Sequence, residues 1–296
     1  MIPFVRDFDF EYGRSDQVSP LIRRVVAKNP GPFTFTGTGT YIVGRGAVAV
    51  IDPGPADPEH LEALKRAVAG EQVTHVLVTH THADHSPLAR PFAESQGAPV
   101  FAARPPGAGG ASDARTEEDA DEAFFPDVVL EGGEQLAGPG WTIETLATPG
   151  HASNHLAFAL LEENALFSGD HVMGWSTTVV APPDGDMGAY YASLDLVAAR
   201  GFSTLWPTHG PPVVEPAPFL AAYKAHRRER ERQILSQIEA GHATISEMVP
   251  AIYAQVDPRL WPAASMSALA HLLHLHRAGV VEAEPAPGAQ ARWRIR

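Results

Sequence analysis

Runs of alternating and continuous apolar residues divide this chain into short strands separated by helical stretches. Tyr41-Ile42-Val43 and Ala47-Val48-Ala49-Val50-Ile51 read as two strands around a Gly44-Arg45-Gly46 turn, the pattern of a hairpin. Leu61, Leu64 and Val68 have helical spacing behind Asp57, a capping residue. Val73–Val78 is the next strand, and Ser86–Gln96 reads as a helix with Pro87 in its first turn. Short strands follow at Pro99–Ala102, Val128–Leu130 and Trp141–Leu146. A second hairpin joins Leu156–Leu160 to Ala165–Phe167 through Glu162-Glu163-Asn164. Asp186 caps a helix through Tyr190, Leu194 and Val197, and Thr204–Pro207 is a last short strand. Residues 1–30 read as a turn-rich lead-in, and the Gly-, Ala- and acid-rich stretch Pro105–Glu122 reads as a mobile loop. Hairpins and strands recur on both sides of residue 125 with helices between them, which predicts two facing sheets with helices outside.

The last third is patterned differently. Pro218–Glu239 is a long polar helix, Thr244-Ile245-Ser246-Glu247 is a capping box, and a further helix over Ser265–Arg277 offers Leu269, Leu272, Leu273 and Leu275 to a core. Val280–Glu282 can pair with Ala291–Ile295. Helix, helix, helix and hairpin make the outline of a winged helix. Charge divides at the same place. The net charge is −13, yet from Pro216 onward 10 Lys and Arg stand against 7 Asp and Glu, whereas the first 215 residues hold 12 against 28. The sequence therefore predicts domains at 1–215 and 216–296.

No apolar run approaches the roughly 18–20 residues of a membrane span, and the N-terminus lacks the pattern of a secretory signal. These features predict a cytoplasmic protein that does not enter membranes. There is no cysteine, which excludes disulfides, thiolate catalysis and thiolate metal ligands.

The densest chemistry follows the strand Val73–Val78. His80-Thr81-His82-Ala83-Asp84-His85 places four metal-competent side chains within six residues, and neutral imidazole and carboxylate are ordinary ligands of zinc and related divalent ions. His151, Asp170 and His209 each stand at the end of another predicted strand, where strands from distant parts of a chain can converge. Alone, any of the three is an ordinary turn residue. Together the seven exceed what one four-coordinate ion can use, whereas two ions sharing a carboxylate can use them all, with Asp170 the natural bridge.

These motifs, His80-Thr81-His82-Ala83-Asp84-His85, Pro149-Gly150-His151, Gly169-Asp170 and Thr208-His209-Gly210, resemble those of the metallo-β-lactamase superfamily over residues 33–213. Asn29-Pro30-Gly31-Pro32-Phe33, Gly185-Asp186-Met187, Ser193-Leu194 and the C-terminal winged helix resemble its beta-lactamase-like protein 2 branch. Gly39 departs from that branch, which usually carries Asn there, and Ser86-Pro87-Leu88 replaces a glycine-containing turn.

The resemblance implies an α/β (α+β) fold, a four-layer αββα sandwich, and two zinc ions, iron or manganese being alternatives. His80, His82 and His151 would bind the first ion and Asp84, His85 and His209 the second, with Asp170 bridging. A metal-bridging hydroxide would then attack an ester-type bond (thioester, ester or phosphodiester) without a side-chain base. Asp84 would orient it, and His155 would serve an oxyanion or leaving group unless it is a packed histidine. Trp175, Tyr190 and Tyr191 would wall the cleft, or else pack the helix that follows. His75 and His171 read as structural, and His271, His274 and His276 as a solvated helix face.

The expected substrate is a small-molecule ester or thioester. Alternatives are single-stranded RNA guided by Lys224, Arg227, Arg228, Arg230 and Arg232, a hydroxyacylglutathione-hydrolase-like thioesterase, an iron persulfide dioxygenase, and a nucleic-acid-binding regulator with an inert metal fold. Glu229 and Glu231 among those arginines favour a salt-bridged connector over an RNA guide. Oligomeric state is not encoded in any of these patterns.

Overall fold

A computed structural model describes residues 2–106, 121 and 123–296 of the chain. The acid-rich loop expected over Pro105–Glu122 lies mostly outside those residues.

Two sheets face each other. The first runs in spatial order β1 (Ser15–Gln17), β2 (Ile22–Val26), β3 (Gly39–Arg45), β4 (Ala47–Ile51), β5 (Gln72–Leu77), β6 (Val100–Ala102) and β7 (Val128–Val129). It is antiparallel as far as β4 and parallel beyond. The second comprises β8 (Gln135–Gly138), β9 (Trp141–Ala147), β10 (Leu156–Leu160) and β11 (Ala165–Gly169), all antiparallel, with β12 (Thr204–Pro207) parallel at the far edge of β11.

Side-chain alternation accounts for the layering. Tyr41, Val43, Ala49 and Ile51 point inward and meet Ile143, Phe158, Leu160 and Phe167 of the opposite sheet. Each fully buried phenylalanine there contributes roughly 1.5–3 kcal/mol. The intervening residues Ile42, Val48, Val50 and Val76 face outward onto α1 (Pro58–Ala67) and α2 (Ala89–Gln96). On the other side Ala157, Ala159 and Leu166 face α3 (Met187–Arg200) and α4 (Pro216–Glu239). The result is the expected αββα sandwich. Trp141 ties the sheets together, donating from Nε1 to Ala47 O at 2.9 Å.

The C-terminal unit has its own core. Ile234 of α4 joins Ile245, Met248 and Val249 of α5 (Ile245–Ile252), Leu269, Leu272 and Leu275 of α6 (Trp261–Arg277), and Val281 and Trp293 of the β13 (Val281–Glu284) and β14 (Arg292–Ile295) hairpin. Thr244 and Glu247 form the capping box. The two cores share α4: its first half gives Phe219, Leu220 and Tyr223 to the sandwich, while Ile234 enters the winged helix. Among the described residues no helix is long and apolar enough to cross a membrane.

Several elements differ from their sequence readings. The lead-in contains β1 and β2, whose pairing with β3 does not show in a local pattern of mixed charge. Strand β8 is likewise stabilised by β9. Helix α2 starts at Ala89 rather than Ser86, because the preceding residues close the histidine loop: the amides of His85 and Ser86 go to His82 O and that of Leu88 to Gly54 O. Pro91, not Pro87, occupies its first turn, where a missing N–H costs nothing. Helix α6 starts at Trp261, four residues earlier than its pattern suggested. His271 is fully buried on α6 beside Glu231, 3.3 Å away, so that part of the histidine cluster is not a solvated face.

Candidate metal centre

The C-terminal ends of β4, β5, β9, β11 and β12 converge on one edge of the sandwich, and each leads into a residue of the candidate site. β5 delivers the loop of His80, His82, Asp84 and His85; β9 leads to His151, β11 to Asp170 and β12 to His209. The seven side chains predicted from sequence come together in two overlapping groups.

In the first group His80 Nε2 stands 2.8 Å from His82 Nδ1, and His151 Nε2 stands 3.2 Å from the same atom. Imidazole nitrogens converge this closely when they share an ion at about 2.0–2.1 Å each. In the second, Asp84 Oδ2 lies 3.0 Å from His209 Nε2 and 3.6 Å from His85 Nε2. Asp170 lies between the groups, with Oδ1 3.6 Å from His85 Nε2, and Oδ2 3.5 Å from His209 Nε2 and 3.9 Å from His151 Nε2. The sets His80–His82–His151, His80–His85–Asp170 and Asp84–His85–His209 each have the proximity a metal ion requires.

The donors fit divalent ions in two further respects. Among the described residues His85 Nε2, His209 Nε2, Asp84 Oδ1 and Asp170 Oδ1 are buried with no hydrogen-bond partner, an expensive arrangement unless a ligand completes it. The electrostatics also suit a cation. Burial, reinforced by neighbouring imidazoles, depresses His80 far below its usual range and His82 to about 3, so both keep a free lone pair. Burial acts in the same direction on His209, but Asp170 and Asp84 outweigh it and raise that imidazole to about 10. The site draws positive charge.

Residues outside the predicted seven hold these side chains in place. Asp52, at the end of β4, is fully buried and takes a positive φ of 49°. It accepts from Thr79 N and Thr79 Oγ1 at 2.8 Å, from Thr208 Oγ1 at 2.9 Å, and lies 2.9 Å from His85 Nδ1. It thus joins the ends of β4, β5 and β12. The signal available in the sequence was its position: an aspartate directly after an apolar strand, as with Asp170. His151 Nδ1 is held by Val179 O at 2.7 Å. Gly150, just before it, has φ of 138°, and a Cβ there would collide with the Tyr190 backbone, meeting its N at 2.5 Å.

His155 is 1% exposed. Its Nε2 accepts from Asp170 N at 3.1 Å, which leaves Nδ1 to donate to Thr148 Oγ1 at 2.8 Å. Of the three residues expected to wall the cleft, Trp175 stands beside the candidate cluster. Its ring stacks on Phe35 at 4.8 Å and packs on Gly210, next to His209. Phe35 takes the left-handed φ of 56°, a strained conformation for an L-residue. Tyr190 is fully buried in the outer helical layer and donates to His171 O at 2.6 Å, while Tyr191 is half-buried with its ring 5.5 Å from His274. His171 is buried against Tyr190, and His75 packs on Phe101 and Trp141. At the open side of the cluster stand His82 and Asp84, both half-buried.

Comparison with known proteins gives the same assignment. Residues 34–209 match the Metallo-beta-lactamase superfamily, and residues 244–293 match the Beta-lactamase associated winged helix domain. A beta-lactamase-like protein 2 homolog from Caenorhabditis elegans is 30% identical over 276 residues, covering 90% of this chain and 88% of its own. An atrochrysone carboxyl ACP thioesterase from Aspergillus chevalieri is 32% identical over 255 residues, covering 81% and 75%. The crystal structure of a metallo-beta-lactamase family protein from Thermus thermophilus superposes with a TM-score of 0.76 at 25% identity, covering 95% of this chain and all of that one. The chain belongs to the metallo-beta-lactamase superfamily, as a metal-dependent hydrolase with a C-terminal winged helix.

Proposed function

We propose that this hydrolase is a dinuclear zinc enzyme that cleaves an ester-type bond in a small molecule, with thioesters and esters as its substrates. The observation that carries this reading is the position of Asp170, whose two oxygens stand between the trihistidine group and the Asp84–His85–His209 group. A carboxylate so placed can serve two ions at once. His80, His82 and His151 would hold one ion, Asp84, His85 and His209 the other, and Asp170 both. When bound, such ions lower the pKa of water to about 7 and polarise the carbonyl under attack.

The remaining work falls to the chain's own groups. Asp84 is the carboxylate at the open side. Its Oδ2 faces His209 and its Oδ1 has no partner among the described residues, so Oδ1 is the acceptor that would orient the water. Asp52 holds the Nδ1 proton of His85 and thereby keeps Nε2 free as a ligand. His155 has both nitrogens committed, so it acts on the backbone of Asp170 rather than on substrate. Trp175 and Phe35 offer an apolar face to the substrate next to His209.

The thioesterase named among the relatives supports the ester-type reading. The RNA reading has less support. Of the basic residues on α4, Lys224 pairs with Asp195, Arg232 pairs with Glu229, Arg230 lies over the Tyr253 ring and Arg227 is buried. That leaves Arg228 without such a partner among the described residues, too little for a phosphate track.

The test is a turnover panel of thioesters, esters, lactones, β-lactams, phosphodiesters and single-stranded RNA, with zinc-loaded wild type beside Asp84→Ala and Asp170→Ala. A thioester or ester should be the best substrate, and both variants should lose more than the ~10-fold that marks the low end of losses around a metal site. Full activity in both variants on the best substrate would sink the two-metal mechanism. Elemental analysis of the purified protein should find zinc rather than iron or manganese.

A further inference from the structure

Arg227 is a cation buried in an apolar layer. It is 4% exposed, and among the described residues no carboxylate is paired with it. Removing a guanidinium from water costs several kcal/mol unless the protein replaces its hydration. The replacement here is Thr178 O, which accepts from Arg227 Nη2, together with the ring faces of Tyr190 and Tyr223 at 5.0 Å and 5.8 Å from the guanidinium carbon. One helical turn earlier on the same face of α4, Tyr223 accepts the Thr178 N–H at 2.5 Å and lies 3.2 Å from Ser176 O. Two side chains of one helix therefore hold both backbone polar groups of a single residue in another segment.

Thr178 is tied to both sides of the metal centre. Its Oγ1 bonds to Asp170 O at 2.8 Å, with His171 O at 3.2 Å. The carbonyl of the next residue, Val179, is the one that orients His151 through Nδ1. Any shift of Thr178 relative to α4 is passed to His151 along one peptide unit and to Asp170 along one hydrogen bond.

We propose that Arg227 and Tyr223 are positioning residues for the metal centre: by clamping Thr178 from α4 they set His151 and Asp170 in ligating orientation. This rests on the reading of those two residues as metal ligands. The helix that leads into the winged helix is then part of the hydrolytic machinery, and the sandwich alone is an incomplete site.

The experiment uses the full chain as wild type, Arg227→Met, Arg227→Lys and Tyr223→Phe. Each is stripped of metal, melted to verify folding, and titrated with Zn2+ against a chromophoric chelator. The rise in Tm on adding Zn2+ is read in parallel, because it reports how much more tightly the folded chain binds the ion than the unfolded one. We expect Arg227→Met and Tyr223→Phe to bind zinc 10–100-fold more weakly, the usual loss when a group behind a ligand is removed. Lysine at 227 keeps a donor for Thr178 O and should recover part of that loss. A purely structural role would instead lower the Tm of stripped and loaded protein alike and leave zinc affinity unchanged. That result in both Arg227→Met and Tyr223→Phe overturns the proposal. If Arg227→Met does not fold, Tyr223→Phe, which loses one hydroxyl, decides alone. Wild type that takes up no zinc would overturn the metal-centre reading itself, a separate outcome from variants that match a zinc-binding wild type.

Discussion

Asp52 Oδ2 lies 2.9 Å from His85 Nδ1, with both side chains wholly shielded from solvent. The pair fixes which nitrogen of His85 carries the proton and so which one faces Asp84 and Asp170. It also explains why a residue with no part in the histidine motif lies at the structural centre of the site. Asp52→Asn tests it cleanly, because asparagine tolerates the positive φ of 49° but replaces half of the acceptor with a donor. Zinc affinity, measured by chelator competition, should fall by about 10–100-fold. Affinity within twofold of wild type would refute the orienting role.

Asp170 makes a second prediction, about stoichiometry. If its carboxylate serves two ions, Asp170→Ala should purify with about one zinc per chain, where wild type holds about two. Elemental analysis on dialysed protein reads this directly. A variant that still holds the wild-type complement would show that Asp170 is not shared.

Gly150 is predicted to be intolerant of any side chain. Alanine there would need both the φ of 138° and space already filled by the Tyr190 backbone, whose N would lie 2.5 Å from the new Cβ. Strain of about 1–3 kcal/mol is expected from the backbone alone, with the displacement of α3 added to it. Urea unfolding of Gly150→Ala should therefore show a loss of at least ~2 kcal/mol. A change within ~0.5 kcal/mol, typical of an exposed surface site, would mean that the loop and α3 part easily.

His60 carries a pH dependence that is separate from the metal ligands. Burial lowers its imidazole to about 4, and its Nε2 lies 2.9 Å from Thr40 Oγ1. The unfolded chain, with a histidine near 6.5, binds the proton first. The stability from keeping His60 neutral is thus fully present above pH ~6.5 and is lost as pH falls from there through about 4, roughly 3 kcal/mol over that window. His60→Gln should show a shallower fall in stability than wild type between those pH values. Parallel curves for the two proteins would contradict this.

Much of the site was legible along the chain because its chemistry is local. His80, His82, Asp84 and His85 share one loop, and their mutual distances follow from that loop's length. His151, Asp170 and His209 could be added because each follows an apolar run, and parallel or paired strands bring such ends to one edge. Asp52 follows the same rule, but a lone Asp-Pro-Gly turn carries no metal signature by itself. Tyr190 and Tyr191 lie near Asp186 in sequence, where cleft walls and helix packing look alike. Only the tertiary contacts place Tyr190 beneath the loop that it supports.

The amino-acid pattern by itself determined the strands other than β1, β2 and β8, the helical caps, the charge division near residue 215 and the set of seven metal-type side chains. These depend on neighbours a few residues away, and their physics is short-range periodicity, capping and loop geometry. Tertiary structure alone decided how those side chains are aimed. Asp52 reaches His85 across 33 residues and Arg227 reaches Thr178 across 49. A hydrogen bond fixes orientation only once both partners have been brought within about 3 Å, and the whole fold is what brings them there.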